Sequence, residues 1–107
     1  MVNFDPIVGS EIGKYRPAVV ISSDAVGKLP IKLVAPTTGW QEKFAGNLWH
    51  VRIQPTAKNG LTKESAIDAL QVRSVSLDRF GRHVGRLSDL EIEEAVHALA
   101  AVVEFNP

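Results

Sequence analysis

The stretch Gly9-Ser10-Glu11-Ile12-Gly13-Lys14-Tyr15-Arg16-Pro17-Ala18-Val19-Val20-Ile21-Ser22 decides how this chain reads. Its first half carries Gly9, Ser10 and Gly13 and is loop sequence. Its second half, residues 17–22, is apolar and β-branched and reads as a buried strand. Glu11 and Arg16 therefore set a carboxylate and a guanidinium five residues apart, just ahead of a strand. A second apolar run at 31–36 reads as another strand and closes on Thr37-Thr38-Gly39. An acid, a base and hydroxyls at the ends of adjacent strands suit phosphodiester chemistry. One group takes a proton, one gives a proton, and donors stabilise the charged phosphorane.

Working outward, residues 2–5 read as a short strand stopped by Asp5-Pro6, because proline lacks an N–H and fixes φ. Residues 40–46 form a polar loop with two aromatics, Trp40 and Phe44. Residues 47–54 alternate, with Trp49, Val51 and Ile53 facing one way and Leu48, His50 and Arg52 the other. Residues 65–75 are strand-like, with Ile67, Ala69, Gln71 and Arg73 in one register. A helical turn fits 76–80 and a last short strand 82–87. Ser88-Asp89-Leu90-Glu91 is a capping box, with acids crowding the first turns as the helix dipole prefers. Ile92, Ala95, Val96, Leu99, Val102 and Val103 follow at helical spacing, predicting a helix over 89–104. Short strands followed by one helix imply a mainly β fold, an antiparallel barrel or half-open sheet packed by a C-terminal helix.

A chain of 107 residues, 45% apolar and 22% charged, fits one globular domain over 1–107. Cysteine is absent, which removes disulfides, thiolate zinc sites and thiol nucleophiles. No apolar run approaches the ~18 residues of a membrane span, and residues 1–6 lack signal-peptide character. The expectation is a soluble, cytoplasmic protein with no membrane partner. Residues 1–87 hold all 12 Lys and Arg with seven acids, whereas residues 88–107 hold five acids and no Lys or Arg. A basic body with an acidic terminal segment suits a polyanionic partner; it equally suits a solvated acidic helix on an ordinary domain.

Val2-Asn3-Phe4-Asp5-Pro6, Gly9-Ser10-Glu11, Arg16-Pro17-Ala18-Val19-Val20, Pro36-Thr37-Thr38, Gly60-Leu61, Ser65 and Gln71-Val72-Arg73-Ser74-Val75 occur here in one order. Together they resemble the MazF/PemK family of toxins from type II toxin–antitoxin systems, along essentially the whole chain. The resemblance implies an SH3-like barrel of the CcdB/PemK type. It implies a sequence-specific endoribonuclease that works as a homodimer on single-stranded RNA and is restrained by a cognate antitoxin. It implies no metal and no cofactor: the substrate 2′-OH attacks its own phosphate, leaving 2′,3′-cyclic phosphate and 5′-OH ends. Two departures stand out. The chain opens near the middle of the family's first strand, and Leu70 stands where many relatives carry an acid.

By that resemblance Arg16 is the catalytic arginine, Thr37 the catalytic hydroxyl and Glu11 the acid that acts as base or organises Arg16. Each has a plainer reading: Arg16 and Glu11 as a loop ion pair, Thr37 as a strand-end cap. Lys14, Tyr15, Thr38, Trp40, Lys43, Phe44 and Arg52 are candidates to line an RNA groove, where aromatics stack on splayed bases; Trp40 and Phe44 equally suit an antitoxin or dimer interface or core filling. Gln71, Arg73 and Ser74 lie in the second signature; Gln71 also suits a buried hydrogen bond that fixes the sheet, and Arg73 a dimer contact. His50, His83 and His97 are scattered, without metal-ligand spacing. Two other classes remain open: a gyrase-inhibiting toxin on the same barrel, and a catalytically inactive relative that binds RNA or protein.

Overall fold

The computed structural model describes residues 1–104. Seven strands precede one helix: β1 Val2–Asn3, β2 Tyr15–Arg16, β3 Ala18–Val20, β4 Ile31–Gly39, β5 His50–Ile53, β6 Ser65–Asp68, β7 Arg73–Ser76 and α1 Asp89–Val102. All strand pairs are antiparallel.

β4 organises the sheet. Its centre pairs with β3, with Val19 opposite Ala35. Its first half pairs with β7 and its last residues with β6, which also holds β5. Thr37 faces Ile67 while Val34 faces Arg73, so three steps along β4 meet six along the run from β6 to β7. The three extra residues form a 3₁₀ turn, Ala69–Gln71. This turn breaks the single register expected from Ile67 to Arg73. Asp68 causes the break, because its carboxylate accepts from the amides of Leu70 and Gln71 and caps the turn. The ring closes elsewhere: β1 pairs with β2, β2 runs through Pro17 into β3, and Val2 bridges back to Phe80 beyond β7.

Two clusters of buried side chains lie along the bent β4. Phe4, Val2, Val34 and Val75 fill one, with Ala18 and Phe80 against it. Ala35, Val51, Ile53, Ile67, Ala69, Ala95 and Ala98 fill the other. The alternation expected for 47–54 holds within β5, where Val51 and Ile53 are buried and Arg52 is exposed, while Leu48 and Trp49 lie in a turn before it. The Ser88 capping box forms in full. The helix ends at Val102, with Glu104 in the left-handed region (φ 57°), rather than continuing to 104. Its buried face also differs from the expected stripe. Ala95 and Ala98 meet the sheet, while Ile92, Val96 and Val103 stay exposed. Leu99, also in the stripe, packs against the same cluster. No strand forms over 82–87. That segment is held instead by single backbone bonds, Gly81 N–H to Met1 O at 2.8 Å and Arg86 N–H to Lys58 O at 2.8 Å. Gly60 makes this approach possible. Its φ is 66°, and a Cβ there would lie 2.1 Å from the Val84 carbonyl oxygen.

Candidate active site

Arg16 ends β2 with its side chain against β4. Its Nε donates to Gly13 O at 2.7 Å and one terminal nitrogen to Thr37 O at 3.2 Å. The other terminal nitrogen makes no hydrogen bond among the described residues and remains available. Burial pulls the Arg16 pKa below the ordinary arginine value, and the charge of Asp5 works in the opposite direction. An arginine stays protonated under such shifts, so the site keeps a fixed cation.

Thr37 lies next to Arg16, buried on β4. Its hydroxyl donates to Pro17 O at 2.8 Å, and its own amide donates to the same carbonyl at 3.0 Å. The plainer reading of a strand-end cap does not hold, since Thr37 lies within β4 and its hydroxyl bonds Pro17, 20 residues away, rather than its own turn; Thr37 also lines the open cleft together with Thr38. This cleft holds about 440 Å³. Lys14, Tyr15, Arg16, Lys63 and Arg82 line it too, and no Asp or Glu does so among the described residues. The Lys63 ammonium lies over Gly39, where a Cβ would come 3.2 Å from Nζ. Tyr15 is held by its hydroxyl, which accepts from Arg82 N–H at 3.3 Å. Lys63 and Arg82 were not legible as site residues. Lys63 sits in loop sequence and Arg82 in the segment read as a last short strand, both far from the Glu11–Arg16 stretch, and long-range contacts such as Met1 N–H to Arg82 O and Arg86 N–H to Lys58 O bring these segments together.

Lys14 reaches the cleft from an uncommon conformation. Its φ is 71°, in the left-handed region that non-glycine residues seldom enter.

Glu11 lies elsewhere. It lines a separate groove with Phe4, Ile12, Gln71 and Arg73. Its carboxylate accepts from Val8 N–H at 2.6 Å, closing its own loop. No ion pair joins it to Arg16 among the described residues. Gln71 clamps that same loop, accepting from Ile12 N–H at 3.2 Å and donating to Ser10 O at 3.1 Å. Arg73 donates to Phe4 O at 3.4 Å and lies over the Phe4 ring. Ser74 is exposed on β7 opposite Leu33.

Trp40, Lys43, Phe44 and Arg52 form a third group. The Arg52 guanidinium lies 4.7 Å from the Trp40 ring centroid and 2.8 Å from Glu64 Oε1. The hydrogen bond to Glu64 raises the Arg52 pKa, and bonds from Arg52 and Gln54 lower that of Glu64. Arg52 thus spends its charge on a protein carboxylate. His50 stacks on Phe44, with centroids 3.9 Å apart, and lies 3.5 Å from Asp68. His97 lies 4.0 Å from Glu93 on α1, and His83 is exposed. The histidines do not converge.

Comparison with known proteins agrees with this architecture. A family model described as PemK-like, MazF-like toxin of type II toxin-antitoxin system matches residues 1–103. The endoribonuclease toxin ChpB of Escherichia coli K12 is 35% identical over 108 residues, covering 97% of this chain and 89% of that protein. The crystal structure of MazF from Deinococcus radiodurans superposes with a TM-score of 0.79 at 24% identity, covering 96% of this chain and 89% of that one. A MazE-MazF structure from the same organism gives 0.72 at 23% identity, covering 98% and 90%. None of the described helices is long and apolar enough to cross a membrane. With a model match along nearly its whole length and a relative above 30% identity, the chain belongs to the PemK-like, MazF-like toxins of type II toxin–antitoxin systems.

Proposed function

We propose that this toxin is an endoribonuclease that cleaves single-stranded RNA in the Arg16 cleft, without a metal, by attack of the ribose 2′-OH on the adjacent phosphate. The 2′-oxygen–phosphorus bond forms and the phosphorus–5′-oxygen bond breaks. The proton lost by the 2′-OH is balanced by the one gained at the 5′-oxygen, and the products carry 2′,3′-cyclic phosphate and 5′-OH ends. Arg16 holds the non-bridging oxygens and stabilises the phosphorane through its unspent donors. Thr37 and Thr38 place hydroxyls beside it. The toxin acts in the cytoplasm as a homodimer and is silenced by an antitoxin, a reading supported by its membership of a family of type II toxin–antitoxin toxins.

The observation that supports this reading best is the acid-free cationic cleft around Arg16. A polyanion entering it meets four side-chain cations and no carboxylate. The test is incubation of the purified protein with long single-stranded RNA in EDTA. Discrete fragments with cyclic-phosphate ends are expected; intact RNA, or cutting only after magnesium is added, overturns the reading.

Two further outcomes follow from the geometry. Thr37→Val removes the hydroxyl but leaves Pro17 O paired with the Thr37 amide. Stability should fall by only about 1 kcal/mol, while cleavage falls at least tenfold. Thermal melts and single-turnover cleavage measure both, and wild-type cleavage would remove Thr37 from the chemistry. RNA affinity should also weaken steeply with salt. Lys63→Ala is expected to flatten the slope of log K against log salt by about 0.7, one single-strand phosphate contact. Arg52→Ala should leave that slope nearly unchanged, because Glu64 already neutralises Arg52.

A further inference from the structure

We propose that Asp5 is the carboxylate that positions Arg16 for cleavage, through its grip on the Gly13–Lys14 turn, and that Glu11 does not fill this role. The inference rests on the reading of the Arg16 cleft as the site of RNA cleavage.

The grip is visible atom by atom. Asp5 Oδ1 accepts from Lys14 N–H at 2.9 Å, and Lys14 O accepts from Phe4 N–H at 2.9 Å. Lys14 is thereby held from both sides at a φ of 71°, a conformation costing about 1 kcal/mol for a residue with a side chain. Gly13 precedes it, and a Cβ there would lie 2.5 Å from Asp5 Oδ1. Only glycine lets the carboxylate lie against the turn. The forced turn aims the Gly13 carbonyl at Arg16 Nε, 2.7 Å away. Asp5 is itself fixed: its amide donates to Asn3 Oδ1 at 3.0 Å, and its carbonyl accepts from Arg79 at 2.5 Å. Asp5 also supplies the opposite charge that Arg16 feels. Glu11 has none of these links, since its carboxylate is engaged by Val8 N–H. An arginine that must meet a phosphorane needs its plane set to within a fraction of an ångström. Asp5 sets it indirectly, through a backbone carbonyl, and leaves the terminal donors not bonded to Thr37 O free for phosphate.

The test compares Asp5→Ala, Asp5→Asn and Glu11→Gln with the wild type in the RNA assay with EDTA. It also follows the Arg16 Nε–H resonance by NMR. Asp5→Ala should lower kcat about 10- to 100-fold with KM within about threefold, and should shift the Nε–H resonance toward that of a free arginine. Asp5→Asn keeps an acceptor for Lys14 N–H, so it should recover most of kcat and the native resonance. Glu11→Gln should lose less than Asp5→Ala. Wild-type kcat in Asp5→Ala overturns the proposal, and so does an Asp5→Asn variant that folds yet cuts no better than Asp5→Ala. Should Asp5→Ala not fold, Asp5→Glu decides. It keeps the charge, but its extra methylene displaces the acceptor against Gly13; a fall in kcat supports the proposal and wild-type kcat overturns it. If the wild type itself leaves RNA intact, the cleavage reading falls, while the Nε–H comparison still reports whether Asp5 holds Arg16.

Discussion

Arg16→Ala is expected to lower RNA cleavage by about 10³-fold, the upper range for losing one preorganised donor to a developing oxyanion. The reason lies in how the side chain is seated. Nε and one terminal nitrogen are anchored on Gly13 O and Thr37 O, so the guanidinium plane is set before substrate arrives. Alanine removes the fixed cation and both anchors together. Arg16→Lys is expected to recover little, because one ammonium cannot bond both carbonyls and also present a planar pair of donors to phosphate. Losing two hydrogen bonds at a partly buried site should cost about 2 kcal/mol of stability, too little to unfold the chain. Circular dichroism and size exclusion would verify the fold, and single-turnover cleavage the loss. Normal cutting by a folded Arg16→Ala protein would remove the centre of the proposed mechanism.

Phe4→Ala should carry the largest stability cost, about 3–5 kcal/mol, or a fall of roughly 10–25 °C in melting temperature. Phe4 is fully buried between Val2, Val34 and Val75, with Ala18 and Phe80 around it and Arg73 over its ring. The cluster is small, so the cavity cannot be refilled cheaply. The same residue anchors function, since its amide holds Lys14 O and its neighbour Asp5 holds Lys14 N–H. Phe4→Leu should keep most of the stability, losing about 1 kcal/mol. Calorimetry checks both variants. A Phe4→Ala protein that melts within a few degrees of wild type would show that this part of the barrel contributes little to stability.

Local signals were legible wherever one interaction between near neighbours decides the structure. The Ser88 capping box formed in full because its partners lie three residues apart. The alternation around Val51 and Ile53 held because a pleated strand allows only two faces. The helix stripe held in part, because spacing marks which residues share a face but not how deeply that face sinks: Ala95 is buried and Leu99 packs against the core, while Ile92, Val96 and Val103 stay exposed. The strand expected at 65–75 broke at Ala69–Gln71, where the Asp68 carboxylate competes with the ladder for two amides.

The sequence by itself determined the family, the mainly β fold with its terminal helix, and the candidacy of Arg16 and Thr37, because short ordered motifs carry that information locally. Only the tertiary structure decided which charges stand together. It moved Glu11 into a separate groove, spent Arg52 on Glu64, and drew Lys63 and Arg82 to the Arg16 cleft. It also laid Asp5 against the turn that holds Arg16. The physical reason is range. Propensities and caps act over a few residues, whereas the field and hydrogen bonds at a site come from groups far apart in the chain that chain closure brings within a few ångströms.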